Sequence, residues 1–294
     1  MSTNSEPGFL VVMWGSAGAP GRSTLARDLA WVLSEQHTVL LVDADTRNPS
    51  LAQLVDLGEE PSGLIGVARA LHSGDAIEKQ LPRYMRQLRG GSRGTLQFLP
   101  GLNRGGRWRE LTGPGMGGLW DKLRSIAEIT IADCAAELPV FLDDAVVHTG
   151  GVSVPHQHNQ LGQRNYQRAD AEDEGQRDSL TLSALLAADL VVVACRAGPV
   201  GLRRGVEAWW RARALGRAAV PVVTRAGLEE RLAFAALAEE SIPSVVGVRD
   251  DAARYARAER AGMSVVALAP RSGASRDVRR LARAVLDYRG VDGE

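Results

Sequence analysis

The stretch "FLVVMWGSAGAPGRST", Phe9 to Thr24, decides the fold, because an apolar run leads into small residues and then into a helical pattern. The run Phe9–Trp14 is apolar on both faces, which is typical of a strand buried in a parallel sheet. A glycine-rich turn between such a strand and a helix directs backbone N–H groups toward an anion. We therefore interpret Gly15–Thr24 as a candidate phosphate-binding loop.

The side chains of this loop fit a phosphate site by position. Gly18 and Gly21 allow positive φ angles and let the backbone approach a phosphate closely. Arg22 stands where the usual pattern has lysine, and Ser23 stands where a hydroxyl would contact Mg²⁺. A guanidinium is larger, planar and permanently charged, so it can hold phosphate but is less suited to following the terminal phosphate during transfer. An ordinary glycine-rich turn is the alternative interpretation of these ten residues taken alone.

Acidic residues follow two of the predicted strands. Asp43 and Asp45 come directly after the run Thr38–Val42, and Asp133 follows Ile129–Ala132. Ligands of open parallel sheets bind at the carboxyl ends of the strands, so these carboxylates are expected to face the candidate loop. Phosphoryl chemistry uses such groups to hold Mg²⁺ or its waters and to orient an attacking water.

The composition excludes a strong electrostatic field of one sign around the protein. The 294 residues carry 35 basic and 35 acidic side chains, so net charge drives binding neither to nucleic acid nor to a membrane. Cys134 and Cys195 lack the spacing of metal ligands and are expected to be buried, reduced thiols. The polar N-terminus and the absence of a long apolar run predict a cytoplasmic protein.

Apolar runs alternate with helical patterns, which predicts the α/β class with one doubly wound, mostly parallel sheet flanked by helices. Residues 1–8 are predicted to form a disordered tail, and residues 9–290 one domain in which residues 148–178 form a flexible polar loop. Its histidines, His148, His156 and His158, have no ligand partners at a known spacing, so a solvated loop is favoured over a metal site. The predicted strands are Phe9–Trp14, Thr38–Val42, Leu96–Pro100, Ile129–Ala132, Leu190–Cys195, Ala219–Val223, Ser244–Val248 and Ser264–Leu268. The predicted helices are Ser23–Gln36, Gly63–Ser73, Gly118–Ala127, Leu180–Ala188, Gly201–Leu215, Leu228–Glu239, Ala252–Ala261 and Arg276–Tyr288.

Several segments together resemble the ParA/MinD family of P-loop ATPases, which carry a deviant Walker A motif. They are "VLLVDADTRNPSLAQLVDL" (Val39–Leu57), "ITIADCAAELP" (Ile129–Pro139), "LVVVACRAGPVGLRRG" (Leu190–Gly205), "PVVTRA" (Pro221–Ala226) and "SVVGVRDDAARYARAERAGMSVV" (Ser244–Val266). "GAPGRST" and "LPGLNRGGRWREL" (Leu99–Leu111) are most similar to the CpaE/TadZ-like branch, which is associated with positioning pili or secretion systems. The resemblance covers nearly the whole chain and implies a SIMIBI-type P-loop NTPase fold.

The resemblance implies ATP and Mg²⁺ as cofactors and assigns roles residue by residue. Asp45 would position the attacking water and Arg22 would contact the phosphates, which makes these two the candidate catalytic residues. Ser23, Asp45 and Asp133 would hold Mg²⁺ or its waters. The remaining candidate nucleotide-binding residues are, at the phosphates, Gly18, Ala19, Pro20, Gly21, Arg22, Ser23 and Thr24 and, near adenine, Thr224, Arg225, Arg249 and Asp250.

Two departures from the family pattern leave the activity open. The family's signature lysine falls at Ala17, and the Walker lysine is Arg22. One hypothesis is a slow, switch-like ATPase that acts as a homodimer with a protein partner of a pilus, secretion or partition system. The alternative is a hydrolysis-deficient, nucleotide-binding scaffold, because the backbone amides of the loop survive both changes.

Two further hypotheses concern surfaces. ParA-type DNA binding would use the arginines of one helix region, and peripheral membrane attachment would use the amphipathic segment "RDVRRLARAVLDYRG" (Arg276–Gly290). We favour a solvated arginine face over DNA binding, given the zero net charge, and core packing of the C-terminal segment over membrane attachment. The arginines concerned are Arg203, Arg204, Arg211, Arg213 and Arg217.

Overall fold

The computed structural model describes residues 7–15, 17–18, 20–58, 62–74, 77–91, 93–112, 116, 118–136, 138, 175–227, 230–242 and 245–291. Of the predicted tail and polar loop, residues 1–6 and 148–174 lie outside these ranges, and the three loop histidines lie there too.

The strands form one eight-stranded sheet. Their bounds are β1 (Phe9–Gly15), β2 (Thr38–Ala44), β3 (Arg86–Leu88), β4 (Thr95–Leu99), β5 (Ile129–Cys134), β6 (Leu190–Arg196), β7 (Ala218–Ala226) and β8 (Val246–Arg249). The order across the sheet is β3-β4-β2-β5-β1-β6-β7-β8. Every pairing is parallel except that of β3 with β4 at one edge. The predicted doubly wound α/β fold is confirmed.

Helices cover both faces of the sheet. They are α1 (Arg22–Leu33), α2 (Leu51–Leu54), α3 (Gly63–Ser73), α4 (Ile77–Tyr84), α5 (Leu119–Arg124), α6 (Ser179–Ala187), α7 (Pro199–Ala214), α8 (Glu230–Glu239), α9 (Ala252–Arg260), α10 (Val265–Leu268) and α11 (Gly273–Val291), with a 3-10 helix at Gly105–Leu111. The central strand shows why two layers are needed, because Val12 and Trp14 belong to one hydrophobic core while Val11 and Met13 belong to the other. Its alternating side chains are buried on both sides of the sheet.

The last predicted strand, Ser264–Leu268, is wrong, since this segment forms the short helix α10. The Ser264 hydroxyl caps the helix by accepting from the N–H of Val266, and the N–H of Val265 donates to buried Asp28 on α1. A five-residue apolar run does not distinguish a strand from a buried helical turn, and the tertiary contact decides it. The edge strand β3 and the helices α2 and α4 were not predicted from the sequence.

The C-terminal helix α11 has its apolar face in the core. Leu281 and Val285 are fully buried in one of the two main cores, Leu286 packs partly against that core, and Val278 is fully buried in a smaller cluster with Val265 and Val266 of α10. This confirms core packing of the segment. Among the described helices, none combines the length and the apolar character needed to cross a membrane.

Gly15 gives a direct test of how tightly the end of β1 is packed. A Cβ there would lie 2.2 Å from the carbonyl oxygen of Ala194 on β6, and φ is +146°. We expect Gly15→Ala to lower the free energy of unfolding by about 1–3 kcal/mol, measured by denaturant titration. Gly106→Ala is the control, because a Cβ there meets nothing within 4 Å. Equal stability of the two variants would contradict the close approach of β1 and β6.

Candidate functional site

The loop after β1 is built by glycines and opens into a helix without a side-chain cap. Gly18 has φ +107° and Gly21 has φ +81°, both in the left-handed region that glycine tolerates. Gly21 is the N-cap residue of α1 and, as a glycine, supplies no side-chain cap hydrogen bond to the first turn. The first N–H groups of a 12-residue helix are therefore available to an anion. Ser16 and Ala19 lie outside the described residues.

The surroundings of the loop leave room for a ligand. Among the described residues, a Cβ on Gly21 would meet nothing within 4 Å, and one on Gly18 would meet the Arg204 guanidinium at 3.7 Å. Pro20 is buried, whereas Arg22, Ser23 and Thr24 are half-buried at the start of α1. The glycines are thus needed for their backbone conformation and not because neighbouring atoms crowd them.

Arg22 connects the loop with the segment after β2. Its Nη1 donates to the carbonyl oxygen of Gly15 at 3.4 Å, and its Nη2 lies 3.9 Å from Oδ2 of Asp45. The side chain is 15% exposed, so its charge faces the interior of the site more than the solvent. The structure therefore brings together the two residues predicted to be catalytic.

The Asp45 side chain is held by the backbone of the residues that follow it. Its Oδ1 accepts hydrogen bonds from the N–H groups of Arg47 and Asn48, both at 2.8 Å. Its Oδ2 is the oxygen that faces Arg22. Because one oxygen is fixed by two amides, the other has a defined direction toward the loop.

Asp133 is the most unusual group of the site. It is fully buried at the end of β5, next to Asp43 in the strand register. Neither carboxylate oxygen has a hydrogen-bond partner of good distance and angle within the described residues, although the Ser23 hydroxyl lies close enough to stabilise its charge. Burial raises the pKa of Asp133 to about 7, although the Ser23 hydroxyl and the Arg22 charge lower it. A buried carboxylate without donors is unfavourable unless a ligand compensates it. A hydrated divalent cation between Ser23 and Asp133 would do so.

Asp43 has a structural role that the sequence did not reveal. Its two oxygens accept from the N–H groups of Leu51, at the start of α2, and of Asp45. Burial, and then the nearby Asp133 carboxylate, raise its pKa well above the usual value. Asp43 therefore shapes the segment that carries Asp45.

This segment is also attached to residues that lie 131 positions away. The Arg47 guanidinium contacts Asp178 through two hydrogen bonds of 2.9 and 2.8 Å, and Arg177 donates to the carbonyl oxygen of Thr46. The Thr46 hydroxyl returns a bond to the carbonyl of Arg177. Asp178 is buried, so the predicted flexible loop does not extend to residue 178. Nothing in the local sequence signals these contacts.

The contribution of the Arg47–Asp178 pair to the stability of the protein can be measured. Arg47→Ala leaves the Asp178 carboxylate, 3% exposed, without the guanidinium, so we expect the free energy of unfolding to fall by about 3 kcal/mol. A double-mutant cycle with Asp178→Ala measures the coupling. Arg203→Ala, which breaks the exposed Arg203–Glu207 pair, is the control and should cost less than about 0.5 kcal/mol. If the effects of Arg47→Ala and Asp178→Ala on the free energy of unfolding are additive, the proposed Arg47–Asp178 interaction is contradicted.

The residues predicted near adenine lie at the carboxyl ends of β7 and β8, the same edge of the sheet as the loop. Thr224 is buried and its hydroxyl donates to the carbonyl of Cys195. Arg225 is the extra residue of a β-bulge and has φ +52°. Arg249 pairs with Asp277 on α11, and Asp250 is exposed. Their contact with a base stays a prediction.

Within the described ranges, no three His, Cys, Asp or Glu side chains form a metal-binding group. Mg²⁺ in phosphoryl-transfer sites is held by one or two protein groups together with waters and phosphate oxygens. Ser23 and Asp133 are sufficient for that arrangement, with Asp45 beside them. The residues present therefore fit a magnesium–nucleotide complex.

Both cysteines are free and buried. Burial raises the pKa of Cys195 to about 12, and burial with the nearby Asp133 raises that of Cys134 well above its usual value. Because the thiolate is the reactive form, we expect no reaction of the folded protein with Ellman's reagent at pH 8, and reaction of both thiols in guanidinium chloride. Rapid labelling of the native protein would contradict this burial.

Comparison with known proteins identifies the fold. No family model and no curated protein sequence matches the chain. Solved structures match over nearly their whole length. They include the septum site-determining protein MinD with Mg-ADP from Pyrococcus horikoshii (17% identity, TM-score 0.70, 97% of this chain and 98% of that one). A ParA family ATPase from Chlorobium tepidum matches with 15% identity and a TM-score of 0.69, over 93% and 98%. A putative plasmid partition protein from Borrelia burgdorferi bound to AMPPNP matches with 15% identity and a TM-score of 0.62, over 96% and 98%. The chain thus has the fold of the MinD and ParA ATPases.

Proposed function

We propose that the protein binds ATP with Mg²⁺ at the carboxyl edge of the sheet and hydrolyses it slowly, as a ParA/MinD-like regulator of position or assembly. The observation that carries the proposal is the buried Asp133 carboxylate, whose oxygens have no well-formed hydrogen bond among the described residues, beside Ser23 and a helix N-terminus whose N-cap is a glycine. Such a carboxylate and such a helix end are complementary to a cation and to phosphate respectively. The Mg-ADP and AMPPNP bound to two proteins of the same fold support this choice of ligand.

Different residues of the site would bind the phosphates and the Mg²⁺. The backbone N–H groups of Gly18, Gly21, Arg22, Ser23 and Thr24 would hold the phosphate oxygens, and the Arg22 side chain would add a positive charge. Pro20 has no N–H and would only shape the loop, and a phosphate contact of Ala19 stays a prediction. Ser23 and Asp133 would hold the hydrated Mg²⁺, which supplies charge neutralisation at the phosphates.

Asp45 would orient a water toward the terminal phosphorus. That water's oxygen forms a bond to phosphorus as the bond to the bridging oxygen breaks, and the proton that the water loses passes to a phosphate oxygen or to solvent, so the products are ADP and inorganic phosphate. The direction of Asp45 Oδ2 toward Arg22 supports this role, because the carboxylate lies beside the group proposed to contact phosphate. Thr224, Arg225, Arg249 and Asp250 are proposed to lie near adenine.

A nucleotide-binding scaffold without turnover is the second candidate. It is favoured by the 3.9 Å contact between Arg22 and Asp45, because this contact occupies both proposed catalytic side chains with each other. In the first candidate, ATP binding separates the pair and orders the segment after β2, which changes the surface offered to a second copy and to a protein partner. A pilus, secretion or partition system is the proposed context in both cases.

The test measures binding and turnover separately. We expect purified protein to bind ATP in the presence of Mg²⁺ by calorimetry and to release phosphate slowly but measurably. Asp45→Ala should retain binding and lose phosphate release, whereas Arg22→Ala should weaken binding by about tenfold or more. Asn48→Ala is a matched control on the same segment, since only its backbone N–H contacts Asp45.

Two results would change the conclusion. Tight ATP binding with no metal-dependent phosphate release above that of Asp45→Ala would establish the scaffold. No binding of ATP or ADP at millimolar concentration would overturn both candidates.

A further inference from the structure

Arg204 reaches the candidate loop from a different helix. It lies on α7, 187 positions after Ala17, and its Nη1 donates to the carbonyl oxygen of Ala17 at 3.4 Å. The same nitrogen would be 3.7 Å from a Cβ on Gly18. The guanidinium therefore lies against the exposed part of the loop, between two elements that are far apart in the sequence.

Two glycines of α7 bring Arg204 to this position. A Cβ on Gly201 would lie 2.2 Å from the carbonyl oxygen of Arg196, and one on Gly205 would lie 2.4 Å from the Cβ of Cys195. The helix therefore packs directly on the end of β6, which is the strand beside β1. This close packing fixes the position of α7 along the end of β6 and therefore its distance from the loop.

Two other arginines of this helix region have partners within α7 and the turn that follows it. Arg203 forms an ion pair with Glu207 on the same helix, and Arg213 stacks on buried Trp209 and donates to the carbonyl of Arg217. Arg204 is exposed, and no carboxylate of the described chain lies within ion-pair distance of it. Its one hydrogen bond among the described residues is the 3.4 Å contact with the neutral carbonyl of Ala17, and the rest of the guanidinium is exposed to solvent.

Two positive charges therefore meet at one loop. Arg22 enters from the start of α1 and faces Asp45, while Arg204 enters from α7 and faces no acid in the described residues. A ligand with several negative charges at the loop would compensate Arg204, whose five N–H groups can leave a weak carbonyl contact for phosphate oxygens.

We propose that Arg204 is a second phosphate-binding cation, which contacts the outer phosphates of the nucleotide from α7. This inference rests on the proposed function and adds a specificity: affinity should increase with the number of phosphates because of Arg204. It also separates Arg204 from the arginine face that the sequence associated with DNA binding.

The experiment titrates ATP, ADP, AMP and inorganic triphosphate into wild type, Arg204→Ala, Arg204→Lys and Arg203→Ala, with Mg²⁺ present. We expect Arg204→Ala to weaken ATP and triphosphate binding by about tenfold, ADP binding less, and AMP binding not at all. Arg204→Lys should restore part of the loss, because it keeps the charge but not the fork of donors. Arg203→Ala is the matched control and should bind like wild type.

The outcomes distinguish this inference from the proposed function. Equal ATP affinity of Arg204→Ala and Arg203→Ala would overturn the role of Arg204 and leave ATP binding intact. An equal loss for ATP, ADP and AMP would also overturn it, since Arg204 would then act on the shape of the loop. If inorganic triphosphate binds in an Arg204-dependent way but ATP does not bind, the phosphate-binding role of Arg204 is supported and the proposed nucleotide binding is overturned. Loss of duplex DNA binding at unchanged ATP affinity would assign Arg204 to DNA instead.

Discussion

The burial of β1 between β5 and β6 is the constraint on which the rest of the site depends. The strand is buried along its whole length, and its last residue, Gly15, lies so close to Ala194 that no Cβ fits. The chain must therefore leave the sheet at a fixed point and in a fixed direction. The glycine turn and α1 follow from there, which sets the amide groups of the helix N-terminus beside the ends of β2 and β5.

The same packing buries acidic residues at the carboxyl ends of β2 and β5, where they do not add to folding stability. Asp43 and Asp133 are opposite each other in the register of β2 and β5, and both are buried. The Asp133 carboxylate raises the pKa of Asp43, and the Asp45 carboxylate raises that of Asp133. Asp43 uses both oxygens on backbone amides, whereas Asp133 uses neither. Two identical residues at equivalent strand positions thus have different roles, one structural and one suited to a ligand. Unsatisfied buried groups of this kind concentrate at functional sites, because folding stability does not select for them.

Two distant parts of the chain attach to the site from outside the sheet. Arg177 and Asp178 hold the segment that carries Asp45, and α7 brings Arg204 to the loop. Both attachments lie next to residues proposed to contact phosphate or its attacking water. We therefore expect a change of bound ligand to shift α6 and α7. Structures with TM-scores of 0.70 and 0.69 share this architecture at only 17% and 15% identity, so the likeness establishes the fold and not the chemistry of the site.

The sequence by itself determined the strand–helix alternation, the buried central strand, the loop and the acidic residues at two strand ends. These features are local, since apolar periodicity, glycines and strand-terminal charges can be recognised within about ten residues. Only the tertiary structure decided that Ser264–Leu268 is helical, that Asp43 shapes the backbone while Asp133 keeps its oxygens free of donors, and that Arg47 meets Asp178. It also decided which arginine of α7 reaches the loop. These outcomes depend on which side chains meet across 131 or 187 positions of chain, and sequence spacing carries no information about such meetings.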